Sequence, residues 1–185
     1  MGLQDPADVP MSPMRWFTRQ LATGELTDID EAEAFAEFAR HNNMLAKRVP
    51  ANLRPFIEQN DNHLRVDDAR FETVRIDPLR RVVELSIIQG ELSYGYGLLT
   101  ATFSGAQLLD LTPAELQTLL ATPKLEVWYF EFDEVVEPPA GRFEVRFLLW
   151  PRGEFGVRFE QATWTWRRRK GRKYHRRPTV LSLQS

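Results

Sequence analysis

The sequence predicts an α+β fold in which N-terminal helices pack on a C-terminal antiparallel β-sheet domain with one inserted helix. Helix signals occur in residues 1–62 and again near residues 113–121, whereas alternating strand patterns fill most of residues 63–185. Because the helices precede the strands and do not alternate with them, a parallel sheet is not expected. With 185 residues and 43% hydrophobic side chains, the chain has enough apolar material for such a core.

The first helix is expected to begin at Ser12-Pro13, because Ser caps helices well and Pro is tolerated at the first helical position. Met14, Phe17 and Leu21 follow at helical spacing, and Gly24 is expected to end the helix. The pattern therefore predicts a short helix between residues 12 and 24.

A second helix is predicted to begin at Thr27 or Asp28 and to break near Val49-Pro50. Acids in its first turn, Asp30 and Glu31, favour the positive end of the helix dipole. Its apolar stripe recurs about every 3.6 residues and consists of Ala32, Ala34, Phe35, Phe38, Ala39 and Leu45. A short third helix is predicted from Leu53, Phe56 and Ile57.

Residues 69–166 are predicted to be mostly strands, because apolar and polar side chains alternate along them. The alternation is clearest in Arg142–Leu149, and Trp164 and Trp166 continue it, which predicts that both indoles face the core. Thr112–Glu115 is a capping box with Pro at the first helical position, and it predicts the inserted helix.

Charge is distributed unevenly along the chain. Residues 167–177 (RRRKGRKYHRR) carry eight Lys and Arg and no acid. The whole chain has 24 Lys and Arg and 26 Asp and Glu, so 16 cations and 26 acids, a net charge of −10, remain when these eight are set aside. The sequence therefore predicts an acidic body with a basic end, and either part could attract a partner of opposite charge.

The basic segment has three interpretations. It could bind nucleic acid by neutralising phosphates, with Trp164, Trp166 and Tyr174 close enough to stack on bases. It could contact a protein or a membrane surface, or it could form a solvated hairpin that protects a sheet edge or pairs with the acidic body. The candidate nucleic-acid-binding residues are Arg167, Arg168, Arg169, Lys170, Arg172, Lys173, Arg176 and Arg177.

Acidic residues are concentrated on the predicted strand Leu125–Val136 and just beyond it. The candidate partner-binding residues are Glu126, Glu131, Asp133, Glu134 and Glu137. In a regular strand Glu131 and Asp133 would share one face, and Glu126 and Glu134 would lie on the other. A bulge is expected near Trp128–Phe130, because the apolar phase slips there. The acids could instead keep the strand soluble and block edge pairing, or act as paired carboxylates in glycoside hydrolysis.

The residue types exclude or disfavour several chemistries. The chain has no Cys, which excludes disulfides, thiolate zinc sites and Cys nucleophiles. None of its three His lies four residues from another, and His63, beside three Asp, is the best candidate for a metal ligand or base. A polar loop in which Asp and Asn turn the chain explains the same residues. No nucleophile elbow, phosphate loop or dinucleotide fingerprint is present, so no catalytic residue, metal or cofactor is expected.

The N-terminal residues are acidic and contain no apolar signal-peptide core, and the longest apolar runs are too short to cross a bilayer. A chain without Cys also fits a reducing compartment. We therefore expect a cytoplasmic protein.

Four short motifs follow one another along the chain: Arg15-Trp16-Phe17-Thr18 near the start, Asp67-Asp68-Ala69 before the strands, and Gln89–Leu92 and Gly153–Phe155 at hairpin ends. In this order the chain resembles a loosely defined set of small bacterial proteins of unknown function, some of which are found near toxin–immunity loci. Asp67 stands where those proteins have His. The resemblance implies a helical N-terminal part and a C-terminal β-sheet domain, and it implies no established activity and no catalytic residue.

The leading functional hypothesis is a non-enzymatic binding protein that holds a basic protein partner on an acidic face, most concretely in an immunity-type role. The first alternative is a nucleic-acid-associated protein that uses residues 167–177. The second alternative is a hydrolase with paired carboxylates, which would need an enclosed cleft. A membrane partner is not expected.

Overall fold

The fold is α+β, as the sequence predicts. The computed structural model describes residues 14–54, 57, 69–91, 95–122, 124–135, 141–169 and 179–182. Its elements are, in order, α1 (Arg19–Thr23), α2 (Asp28–Leu45), β1 (Arg70–Asp77), β2 (Val82–Glu91), β3 (Gly95–Ser104), β4 (Gln107–Leu109), α3 (Pro113–Leu120), β5 (Glu126–Val135), β6 (Arg142–Trp150), β7 (Glu154–Phe159), β8 (Gln161–Arg169) and β9 (Thr179–Ser182). Among the helices of these ranges, none combines the length and the apolar character that crossing a membrane requires.

The strands form two sheets. Five strands lie in the order β8-β3-β2-β1-β9, and four lie in the order β4-β7-β6-β5. Neighbouring strands pair antiparallel, except that β9 runs parallel to β1. The predicted antiparallel sheet is confirmed, whereas no sequence pattern predicts the parallel strand β9.

The two sheets share a corner at which two strands bend from one sheet into the other. β3 leads into β4 across Gly105, and β7 leads into β8 across Glu160. The strands stay hydrogen-bonded through the bend, since the Glu160 N–H donates to the Ser104 carbonyl at 3.0 Å. Gly105 has φ +62° there, a conformation that favours glycine. The sheets meet again where the Val127 N–H donates to the Ala69 carbonyl at 2.8 Å.

The main core lies between the two sheets. Phe71 of the five-stranded sheet contacts Phe147 and Phe155 of the four-stranded sheet at ring-centroid distances of 5.6 and 5.5 Å. Trp164 and Trp166 are partly buried and pack against this core. The prediction that both indoles face the core is therefore confirmed.

The N-terminal residues form a third layer on the outer face of the four-stranded sheet. A second apolar cluster lies there and consists of Met14, Trp16, Phe17, Leu21, Ala22, Phe38 and Leu148. Leu148 is its one strand residue and is fully buried, although Phe147 and Leu149 beside it belong to the main core. At this point β6 is therefore covered on both faces, and its side chains form a continuous apolar run.

Arg19 fastens the helical layer to the turn between β6 and β7. Its guanidinium donates to the carbonyl oxygens of Leu149 at 3.0 Å and Gly153 at 2.8 Å. Burial lowers the pKa of the Arg19 guanidinium, and the charge of Glu154 opposes that shift. The turn carbonyls thus gain charged donors in a half-buried position where water access is limited.

Helix α1 begins later than the sequence predicts. Thr18 caps it, with its hydroxyl accepting the Leu21 N–H at 3.3 Å, and Gly24 ends it at φ +71°, as predicted. Met14 and Phe17 are buried but not helical, because the N–H groups of residues 15–17 are bound by a carboxylate of β5. A helix that includes residues 14–17 is therefore wrong, and Ser12-Pro13 lies outside the described residues.

Helix α2 begins as predicted but is less buried than its apolar stripe suggests. Thr27 caps it, and Asp30 completes a capping box. Of the predicted stripe, Phe38 and Leu45 are buried, whereas Phe35 is 39% exposed. The helix ends at Leu45, ahead of the expected break. It packs along a narrow line only, so most of its circumference faces solvent.

The segment after α2 enters the main core. Leu53 and Ile57, two residues of the predicted third helix, are buried there. Phe56 lies outside the described residues. Asn52 lies beside strand β8, since its carbonyl oxygen accepts the Trp164 indole N–H at 3.2 Å. This segment therefore packs against the inner side of the five-stranded sheet.

Helix α3 is the predicted inserted helix, and its capping box is confirmed. The Thr112 hydroxyl accepts the Glu115 N–H at 3.2 Å, and the Thr112 N–H donates to the Glu115 carboxylate at 2.7 Å. The bonds from Thr112 lower the pKa of the Glu115 carboxyl. Because that pKa is lower in the folded state, the contribution to stability is present above the unfolded pKa and is lost as pH falls through the folded value.

We expect Thr112→Ala to destabilise the protein by about 1 kcal/mol, because the first-turn N–H of Glu115 loses its acceptor. Thr118→Ala in the same helix is the matched control, since the Thr118 hydroxyl bonds to the Ala114 carbonyl within one turn and caps no helix end. Urea unfolding followed by circular dichroism measures both variants. Equal stability of the two variants would contradict this role of Thr112.

Candidate functional site

Glu126 and Glu131, the two acids of β5 whose side chains the structure describes, do not form an exposed acidic face. The Glu126 carboxylate is bound by the Arg70 guanidinium, whose Nε lies 2.9 Å from Oε1. The two side chains are only 27% and 34% exposed. Glu126 therefore joins β5 to β1 near the second junction of the sheets, and its charge is neutralised within the protein.

Glu131 is buried and bound by the protein's own backbone. Its side chain is 5% exposed. One carboxylate oxygen accepts the N–H groups of Trp16 at 2.8 Å and Phe17 at 2.7 Å, and the other accepts the N–H of Arg15 at 3.0 Å. Three consecutive N–H groups thus surround one anion, an arrangement typical of anion-binding backbone nests. The expectation that Glu131 binds a partner is corrected, because no partner can reach this carboxylate.

The bulge explains why Glu131 lies beneath the N-terminal layer. The pairing of β5 with β6 shifts between Val127 and Tyr129, where the sequence predicts a bulge. Glu126 lies opposite Trp150, and Glu131 lies opposite Arg146. Trp150 and Arg146 are four residues apart on one strand and share a face. The bulge therefore brings Glu126 and Glu131 to one side, where a regular strand would separate them.

The side chains of the remaining predicted acids, Asp133, Glu134 and Glu137, lie outside what the structure describes. The backbones of Asp133 and Glu134 pair with Glu144 and Phe143 of β6. Glu137 lies outside the described residues altogether, as does His63. In the part of the chain that is described, no group of three or more His, Asp or Glu side chains could hold a metal ion.

A network of two arginines and two acids lies on the helix-side face of the four-stranded sheet. Glu144 accepts from Arg146 at 2.5 Å and from Arg158 at 3.0 Å, and Arg146 also donates to Asp110 at 2.7 Å. Burial favours a lower pKa for Arg146, but the attraction of Glu144 and Asp110 outweighs it and raises the pKa. Every carboxylate of the network is paired with a cation, so the arrangement stabilises the sheet and offers no free carboxylate for acid–base chemistry.

The described cations of the basic segment lie on the edge strand β8. Arg167 and Arg168 are exposed, and Arg169 forms an ion pair with Glu72 at 2.8 Å. Trp164 and Trp166 pack on the core and are not presented beside these cations as a stacking surface. The other candidates, Lys170, Arg172, Lys173, Arg176 and Arg177, lie outside the described residues, together with Tyr174 and the second arm of the expected hairpin.

The most acidic described surface lies on α2 and just before it, over residues 25–37. It consists of Glu25, Asp28, Asp30, Glu31, Glu33 and Glu37, all exposed, and we call it the α2 acidic surface. These acids lie around the circumference of α2, so the surface is the N-terminal end of the helix and not one side of it. No Lys or Arg occurs between Arg19 and Arg40. Within the described ranges, Asp28, Glu31 and Glu33 form no ion pair.

An exposed apolar side chain lies within this surface. Ile29 follows Asp28 in the first turn of α2 and is 72% exposed. An isoleucine this exposed gains by burial against a partner. Sequence analysis misses this surface, since the helix dipole alone accounts for acids in the first turn. The run of acids without an intervening cation is the signal that points to it.

Compared with protein-family models, with curated proteins and with solved structures, the chain matches none of them.

Proposed function

We propose that this protein is a non-enzymatic binding protein that captures a basic protein partner on the α2 acidic surface. An immunity-type role, in which the captured partner is a basic toxin, is the most concrete form of the proposal and follows from the resemblance of the motif order. The observation that carries it is the set of six exposed acids over residues 25–37 with no cation among them.

Two physical properties support this choice of surface. A concentration of unpaired negative charge raises the rate at which a cationic protein is captured. This electrostatic attraction weakens as the salt concentration rises. The exposed side chain of Ile29 adds an apolar contact between Asp28 and Asp30 of the charged region. Charge at the rim with an apolar centre is the usual composition of a protein–protein interface.

Three carboxylates elsewhere in the described chain support the proposal, because groups of the protein itself already bind them. Glu126 is bound to Arg70, Glu144 to two arginines, and Glu131 to three backbone N–H groups. A partner would have to break these bonds before it could use those charges. The α2 acids require no such exchange, so they are the better docking groups.

The triple variant Asp28→Asn, Glu31→Gln and Glu33→Gln tests the proposal. We expect it to bind the basic partner roughly 10- to 100-fold more weakly than the wild type at low salt, and to lose most of the salt dependence. The measurement is affinity capture from the source cells with tagged chain, followed by titration of the basic protein recovered.

The control carries the same loss of charge at another place: Asp77→Asn, Glu84→Gln and Glu160→Gln, three acids that form surface ion pairs on the five-stranded sheet and its corner. The control is expected to bind like the wild type. If both triple variants capture the same proteins as the wild type, the proposal is wrong. If the chain captures nucleic acid instead, and the double variant Arg167→Gln and Arg168→Gln abolishes that capture, nucleic-acid binding by the basic segment replaces the proposal.

A further inference from the structure

Helix α2 has a face that no described part of the chain covers. With about 100° of rotation per residue, Ile29, Ala36 and Arg40 project almost opposite to the buried residues Phe38 and Leu45. Ile29 is 72% exposed and Met44, towards the other end, is 59% exposed. The face therefore has an apolar side chain near each end and small residues in its middle.

Charge changes sign along this same face. Glu33 lies on it in the first half of the helix, whereas Arg40 lies on it in the second half and Lys47 follows just beyond the helix; all three are exposed. Arg40 contacts Glu37 of its own helix at 3.7 Å, but both side chains are at least 60% exposed, so this pair is weak. Glu33 of one helix is thus complementary to Arg40 of another that runs in the opposite direction.

We propose that this face of α2 pairs with the same face of a second copy of the chain, antiparallel about a twofold axis near Ala36. In an antiparallel helix pair about a twofold axis, the numbers of two facing residues always have the same sum. Ile29 of one copy therefore meets Met44 of the other, and Glu33 meets Arg40. The axis passes between positions 36 and 37, so Ala36 lies close to its own counterpart. A twofold contact of this kind is self-complementary and closes after two copies.

The small side chains at the centre make the pairing geometrically feasible. Ala32 and Ala36 are exposed on this face, and alanine allows helix axes to approach to about 8 Å. A helix of 18 residues is only about 27 Å long. One helix pair of that length buries less surface than a standard interface, so the dimer is weak and depends on protein and salt concentration.

The purified chain alone tests this inference, so its failure can be told apart from failure of the proposed partner capture. Both contacts use Ile29 and Glu33, so a captured partner would displace the second copy. Sedimentation equilibrium over a range of protein concentrations is expected to show a mass that rises from one copy towards two. Glu33→Lys and Arg40→Glu are each expected to weaken dimerisation about tenfold, because every change is repeated at both ends of a twofold contact. The double variant is expected to recover the affinity of the wild type, since the two substitutions exchange the charges at positions 33 and 40 and opposite charges then meet again across the axis.

Ala36→Glu places two carboxylates together at the axis and is expected to abolish dimerisation. Its matched control is Ala114→Glu in α3, another exposed alanine on a helix, which is expected to dimerise normally. Circular dichroism confirms that each variant keeps its helices. A wild-type chain that stays monomeric at all concentrations overturns the inference. So does a double variant no stronger than the single variants, or an Ala36→Glu variant that dimerises like the wild type.

Discussion

Replacing Glu131 with Gln is expected to destabilise the protein by about 3 kcal/mol, because three backbone donors lose a buried anionic acceptor. The amide has only one carbonyl oxygen, so its NH2 group would face an N–H of residues 15–17. A buried donor without an acceptor costs more than the bond it replaces. The N-terminal layer should therefore detach before the sheets unfold.

Two measurements check this result. Urea unfolding gives the loss in free energy, and hydrogen exchange reports whether the N–H groups of residues 15–17 are released. Glu126→Gln is the control, since it removes the same charge from the same strand at a partly exposed ion pair with Arg70 and should cost less than about 1 kcal/mol. Unchanged exchange at residues 15–17 in the Glu131→Gln variant would show that the carboxylate does not hold this segment.

In the N-terminal segment the sequence predicts which side chains are buried but not the backbone conformation of residues 14–17. Met14, Phe17 and Leu21 are all buried, as their spacing suggests. Only Leu21 is helical, because the N–H groups of residues 15–17 find an acceptor more than a hundred residues away in the chain. No local pattern can reveal such a partner, and the apolar spacing alone favours a helix.

Elements specified by neighbouring residues can be predicted well. The capping box at Thr112 lies where the sequence places it, and Thr27 caps α2 as one of its two predicted starting residues, since both caps depend on residues three positions apart. The strand alternation of β6 and β8 is also correct, because side chains on a strand alternate whatever the sheet order. The order of the strands, and the parallel β9, depend on long-range contacts that alternation does not encode.

The candidate acidic face illustrates a related limit of sequence patterns. A carboxylate that bonds to the backbone of its own protein looks the same in a sequence as one that faces solvent. Glu131 is the buried case and Glu33 the exposed one. Only the fold distinguishes them, since the bulge in β5 turns Glu131 towards the N-terminal layer.

Gly97 in strand β3 is expected to tolerate no side chain, because the Trp166 indole occupies the space beside it. A Cβ at position 97 would lie within 3.0 Å of three indole atoms. Trp166 belongs to the neighbouring strand β8 and packs on the main core, so it cannot move aside without losing that contact. We expect Gly97→Ala to cost about 2 kcal/mol through overpacking, together with a red shift of tryptophan fluorescence as the indole is displaced.

A double-mutant cycle isolates this contact from the general effect of changing a strand glycine. Trp166→Ala removes the obstructing ring, so Gly97→Ala should cost at least about 1 kcal/mol less in that background than in the wild type. Gly156→Ala in β7 is the matched control: its added Cβ meets no atom closer than 3.3 Å, so its cost should be smaller. Urea unfolding of the wild type and these variants gives the coupling energy. Additive effects of the two substitutions would mean that the indole does not fill the space of the missing side chain, and the close approach of β3 and β8 would then need another cause.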